Sequence, residues 1–312
     1  MSPVYKDYIW GGERLKKELN KECDYDKVAE SWEISANSNG NCTIINEEYK
    51  NKTLAELFND KVIKEDVFGK NCLNMSEFPL LIKFIDAKDN LSIQVHPDDN
   101  YAKKIGQPNG KNEIWYIMDC DDDSKLIAGL NQKLNYEELK KAIYDNNIKD
   151  YLNYVEVAKG DSIYIPAGAI HAILKGCLIC EIQQNSDTTY RVYDWDRVDK
   201  YGKSRELHKK ESLETINIDI LPKVKHSNNE NMVEILVSNE YFKIEKINCN
   251  GSFEDKSDLN TFFAMSVVEG EGCIYTSKEK INIKKGDSFL IPATLGEYKL
   301  IGKMELLKTS IT

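Results

Sequence analysis

Apolar and polar positions alternate over short runs along most of the chain. LLIKFIDA, LSIQVHP, EIWYIMD, SIYIPA and LICEIQ occupy the first two-thirds, and EILVSNEYFKIEKI, INIKKGDSFLIP and YKLIGKMELL the last third. Gly, Asn and Asp separate them. A period of two cut by turn formers predicts an antiparallel β-sandwich or barrel, so the chain reads as mainly β. A 3.6-residue period appears in two stretches, TLAELFNDKVIKEDVFG (53–69) and NYEELKKAIYDNNIKDYL (135–152), which predicts a small helical component.

One phrase occurs twice. GDSIYIPAGAIH begins at Gly160 and GDSFLIPATLG at Gly286, each preceded by a lysine, Lys159 and Lys285. Both read as a tight turn, a strand and a Pro-Ala stop. A duplicated β-barrel explains the pair, with one barrel in 1–225, a second in 226–312, and the polar HSNNENM (226–232) between them. Only the first copy carries a histidine, His171.

Composition narrows the chemistry. The chain has 312 residues and a formal net charge of −10, which argues against nucleic acid and membrane surfaces as partners. No apolar run approaches a membrane span and no leader pattern opens the chain, so a cytoplasmic enzyme, monomer or homodimer, is expected. The eight cysteines include one CxxC, Cys177 and Cys180, inside a strand-like run; buried free thiols are the expected reading. Of 42 basic residues only Arg14, Arg191, Arg197 and Arg205 are arginine. Each is a candidate for a task that needs a planar fork of donors.

The histidines point to a metal. There are four: His96, His171, His208 and His226. Gln94 and His96 sit two apart on a predicted strand and share one face, as do Lys111 and Glu113 on the next. His171 follows the Pro-Ala-Gly turn. Two imidazoles, a carboxylate and an amide oxygen make an N₂O₂ set that suits Zn²⁺ with an open position, and Mn²⁺ or Fe²⁺ would tolerate it. His208 and His226 fall in no ligand pattern. The second barrel, with no histidine after His226, cannot build such a site and is expected to be structural.

The pattern G-x5-P-x-G-x2-H at 160–171 resembles the second cupin motif. SIQVHPDD (92–99), GKNEIWYI (110–117) and QQNSDTTYRVYDWDR (183–197), with IWGGERLK (9–16), ESWEIS (30–35) and GKSRELH (202–208), resemble the short bacterial form of type I phosphomannose isomerase. The C-terminal part is similar to a degenerate cupin. The resemblance implies two cupin-like β-barrels or jelly rolls, the second degenerate, and a zinc held by Gln94, His96, Glu113 and His171. It implies catalytic roles for Lys111, Asp187 and Arg191, and places Ser92 and Lys83 near the phosphate end of the substrate. Val192-Tyr193-Asp194 stands where longer forms have a glycine-rich turn. The implied reaction interconverts D-mannose 6-phosphate and D-fructose 6-phosphate through an enediolate. Arg191 would stabilise that charge, and Asp187 or Lys111 would carry the proton; alternatively, Asp187 orients Arg191 at i+4 spacing on a helix. Rival readings are an isomerase of another sugar phosphate, a non-catalytic sugar-binding cupin and an oxygen-using iron cupin.

Overall fold

The computed structural model describes residues 1–199, 201–227 and 231–312. The expected connection at 226–232 therefore lies partly outside the described residues, at 228–230. Thirteen strands form two sheets: β1 (Val4–Lys6), β2 (Glu30–Asn37), β3 (Gly40–Asn41), β4 (Leu80–Ala87), β5 (Ile93–Val95), β6 (Glu113–Cys120), β7 (Lys125–Leu130), β8 (Leu152–Glu156), β9 (Ser162–Ile165), β10 (His171–Ile173), β11 (Cys177–Gln184), β12 (Tyr190–Tyr193) and β13 (Val224–Lys225). The larger sheet has the order β1-β2-β4-β11-β6-β9-β13 with β3 on β2; the smaller runs β12-β5-β10-β7-β8. A third sheet, β14 (Val233–Ser238), β15 (Lys243–Lys256), β16 (Phe263–Tyr275), β17 (Lys280–Lys284), β18 (Ser288–Ile291) and β19 (Glu297–Ser310), has the order β14-β15-β19-β16-β17 with β18 on β16.

Side-chain alternation explains how the layers meet. On the inner face of the larger sheet, Ile85, Trp115, Ile117 and Ile179 pack with Leu126, Ala128 and Ile173 of the smaller sheet, closing one end of a jelly roll. The outer face carries Ile82, Phe84, Ile114, Tyr116 and Ile182. These join Phe58 and Phe68, and Phe242 and Phe262 of the C-terminal part, in one continuous core. Strands β4 and β11 are thus buried on both faces, which is why LLIKFIDA reads as a nearly unbroken apolar run. Besides clusters of their own, the two β-rich parts share this continuous core. The interior of the third sheet forms its own cluster, including Ile247, Met265, Val267 and Leu306. Cys177 and Cys180 belong to opposite faces of β11 and to different cores, so they form no chelate, and all eight cysteines are free thiols.

The predicted helix at 53–69 is two short helices, α2 (Leu54–Asn59) and α3 (Lys64–Phe68), the first opened by a capping box between Thr53 and Glu56. The stretch 135–152 begins as α5 (Tyr136–Tyr144), capped by Asn135 and Glu138. It breaks at Asn146, whose φ is 59°, and becomes a 3₁₀ turn before β8 starts at Leu152. Helices α1 (Arg14–Leu19), α4 (Asp99–Lys104) and α6 (Lys209–Thr215) are too short to show a period in the sequence. α5 and α6 cover the outer face of the smaller sheet, where Leu139, Ile143 and Leu213 meet Ile93 and Val95.

The repeated phrase folds the same way twice. Gly160 and Gly286 take φ of 92° and 93°, a left-handed turn open to glycine, and each leads into a four-residue strand, β9 or β18. The next strand starts at His171 in the first copy and at Glu297 in the second.

Candidate metal centre and active site

Cross-strand pairs place the polar residues between the two sheets, beside the apolar inner core. On the smaller sheet Arg191 lies opposite Gln94, and Gln94 opposite His171. Directly paired residues of an antiparallel ladder share a face, so these three line up in a row. On the larger sheet the row is Trp32, Lys83, Glu181 and Trp115, with Gln183 opposite Glu113 one step along.

Four side chains converge where the rows meet. His96 Nε2 and His171 Nε2 are 3.1 Å apart; Glu113 Oε2 lies 3.5 Å from His96 Nε2, and Glu113 Oε1 lies 3.4 Å from His171 Nε2. The Gln94 amide nitrogen lies 3.4 Å from His171 Nε2, and a half-turn of the amide brings its oxygen to that point. Among the described residues, His96, Glu113 and His171 form the one cluster of His, Cys, Asp and Glu groups able to hold a metal, and all three are buried.

Second partners fix the tautomers. His96 Nδ1–H donates to the Thr188 carbonyl at 3.0 Å and His171 Nδ1–H to the Ala169 carbonyl at 2.8 Å. A carbonyl can only accept, so each Nε2 holds a lone pair aimed at the cluster. Two such lone pairs cannot hydrogen-bond each other, and the buried Glu113 Oε1 has no donor at all. Acceptors converging in this way ask for positive charge, which the Lys111 ammonium supplies only at His96 Nε2 and Glu113 Oε2. Tetrahedral bonds of about 2.0–2.1 Å would separate ligand atoms by roughly 3.3–3.4 Å, close to the spacings observed, so the residues fit a small dication.

Lys111 lies inside the same cluster. Its ammonium donates to Glu113 Oε2 at 2.5 Å and to His96 Nε2 at 3.1 Å, and it is 3.7 Å from Glu181. Burial lowers both histidines, His171 to about 3 and His96 well below its ordinary value, which keeps them neutral and competent as ligands. Burial and the neighbouring Glu181 carboxylate push Glu113 up. Burial would raise Glu181 too, but Lys111 and Lys83 hold it below the usual carboxylate range. Lys83 is buried, which by itself would favour the neutral amine; Glu181 at 3.1 Å and Glu30 at 3.7 Å outweigh that and keep its charge.

Ser92 is buried, with its hydroxyl 3.4 Å from the Gln94 amide. Arg191 donates from Nη1 to the Glu206 carbonyl at 2.8 Å, while its Nε is buried without a partner. Asp187 stands on an exposed loop and accepts from Asn39 Nδ2. The i+4 helical pairing of Asp187 with Arg191 is not formed, because this segment runs as a loop into β12. Sequence reasoning missed Glu181, a lone carboxylate in the apolar run LICEIQ whose inward parity was its one signal. It also missed the Thr188 and Ala169 carbonyls, which carry no residue-type signal, and Asp194, whose carboxylate binds both Arg197 and Arg205 at 2.6 Å.

Residues 1–133 match the family described as phosphomannose isomerase type I, catalytic domain, and residues 232–311 match mannose-6-phosphate isomerase, cupin domain. The chain is 41% identical over 311 residues to mannose-6-phosphate isomerase ManA of Bacillus subtilis, covering 98% of this chain and 96% of that protein. It is 36% identical over 307 residues to a mannose-6-phosphate isomerase of Streptococcus mutans, covering 96% and 93%. The crystal structure of a Bacillus subtilis mannose 6-phosphate isomerase superposes with a TM-score of 0.90 at 35% identity, covering 98% of this chain and 97% of that one.

Proposed function

The chain belongs to the type I phosphomannose isomerase family, and from that premise we propose that it interconverts D-mannose 6-phosphate and D-fructose 6-phosphate at the site between the two sheets. The family is metal-dependent. The observation that carries the reading is the buried set of lone pairs from His96, His171 and Glu113, completed by Gln94, beside a lysine and an arginine. We assign one zinc ion per chain to this set; other divalent metals tolerate the same ligands. The bound dication supplies a Lewis acid for the carbonyl that moves between C1 and C2.

The chain's own residues supply the rest. Arg191 shares a face with Gln94 and His171, and its guanidinium is assigned to stabilising the negative oxygen of the enediolate. Lys111, buried among the ligands, is the better placed proton carrier; Asp187, at the exposed rim, is the second candidate. Lys83 and Ser92 lie beside the ligand set and are assigned to substrate contacts. Glu181 and Glu30 balance the Lys83 charge. Residues 1–225 carry the chemistry, and 226–312 support it by sharing the outer core of the larger sheet.

The test is a coupled assay with mannose 6-phosphate, run with glucose 6-phosphate as the alternative substrate, with and without a chelator. Turnover of mannose 6-phosphate that a chelator abolishes, with about one metal per chain, is the expected result. Full turnover after chelation would overturn the metal assignment, and turnover of glucose 6-phosphate alone would overturn the substrate.

A further inference from the structure

Arg191 sits on β12, the last strand of the smaller sheet, with β5 on one side only. A residue at such an edge turns its backbone N–H and C=O either to the neighbouring strand or outward. At Arg191 both turn outward and both are met by His208. The Arg191 N–H donates to His208 Nδ1 at 3.1 Å, and the His208 N–H donates to the Arg191 carbonyl at 2.8 Å. Arg191 and Gln94 are therefore a pair without ladder hydrogen bonds, the kind whose Cα atoms approach most closely. This brings the arginine against a metal-ligand residue.

The same stretch holds the far end of the side chain, because Nη1 donates to the Glu206 carbonyl at 2.8 Å. His208 is itself fixed. It immediately precedes α6, its carbonyl accepts from the Ser212 N–H at 2.8 Å, and its ring packs 6.0 Å from that of Tyr190. The loop between β12 and α6 is closed at its base by Arg205, which donates from Nε and Nη2 to the two oxygens of Asp194 at 2.7 and 2.6 Å.

We infer that His208 is a positioning residue that holds Arg191 in register at the active site, acting through the acceptor at Nδ1. The inference rests on the isomerase reading and on the role given there to Arg191. The imidazole stands in for a neighbouring strand at one residue. Its removal leaves the Arg191 N–H without its partner and frees the edge strand to shift by a fraction of an ångström.

His208→Phe keeps a ring of similar size and removes the acceptor; His208→Asn restores an acceptor near the place of Nδ1; His208→Gln puts it one bond further out. With metal content equal to that of the parent, H208F and H208Q are expected to lower kcat about 10- to 100-fold, the range a small misplacement of a reacting group costs. KM is expected to stay within about twofold, and H208N to recover most of the loss. In an Arg191→Lys background H208F is expected to add less than about a twofold further loss, because the two act as a unit. Full kcat in H208F and H208Q, or an H208N as impaired as H208F, would overturn the inference. So would a loss that multiplies undiminished onto R191K. Should H208F not fold, H208Q carries the same comparison. A parent enzyme inactive on mannose 6-phosphate would instead defeat the isomerase reading, which the first assay of the series reveals separately.

Discussion

Replacing His171 by alanine separates metal ligation from packing. His171 is fully buried, with the Trp115 ring 5.3 Å away edge-on, so the substitution removes a ligand and also opens a cavity. The two effects part in a melting experiment run with and without metal. A ligand that binds only the folded state stabilises it by about 2.7 kcal/mol at a hundred times its dissociation constant. Unfolding entropy near 2.1 cal/mol/K per residue, applied to 312 residues, converts that to a rise in Tm of about 4 °C in the parent. Loss of one of four ligands weakens the metal by at least about 100-fold, since even outer partners are worth 10- to 100-fold. At the same metal concentration the rise in H171A should then be under about 1 °C. The cavity lowers both melts of the variant and cancels in the difference. Differential scanning calorimetry and a zinc titration would measure it. His226→Ala, at an exposed position, should keep the full rise. An H171A protein whose Tm climbs with zinc as much as that of the parent would refute the ligand assignment.

Other perturbations test the surrounding groups. Arg191→Lys should cost about 10²–10³ in kcat with little change in KM, and Arg197→Lys should be mild; a rise in KM alone would move Arg191 to phosphate binding. Lys83→Met leaves Glu30 without its cation and Glu181 with Lys111 alone, and should cost about 3–5 kcal/mol in denaturant melts, part of it recovered in K83M/E181Q. Burial would raise Asp194, but Arg205 and Arg197 hold it below its ordinary value, so its stabilisation is present above about pH 4 and disappears as pH falls through the lower folded value. Asp194→Asn should therefore melt below the parent at pH 7, with a gap that narrows under pH 4. Glu297→Gln, at the place in the second repeat that His171 holds in the first, should leave turnover within about twofold, because an exposed side chain there meets no ligand set.

Much of the architecture was readable from the order of residues. Period-two alternation and Gly/Asn/Asp turns dictated a β-sandwich, because a strand that buries one face must alternate. The repeated GDS turn was legible because a left-handed φ near 92° admits few residues besides glycine. The spacing of Gln94 with His96 and of Lys111 with Glu113 suggested shared faces on two strands, but only Gln94 and Glu113 lie within β5 and β6, and His96 and Lys111 stand just outside them. Other features were settled by tertiary structure alone. The break of 135–152 at Asn146 and the three short helices lie below the length at which a period can be read. The shared outer core arises because the C-terminal sheet covers strands that would otherwise face water, and a run such as LLIKFIDA states that it is buried but not by what. Glu181 became a partner of Lys83 and Lys111 only once β11 lay between β4 and β6. Asp187 and Arg191 looked paired by spacing but were separated by a loop. The grip of His208 on Arg191 crosses from one edge strand to the start of a helix, and a contact between distant segments leaves no periodic trace in either.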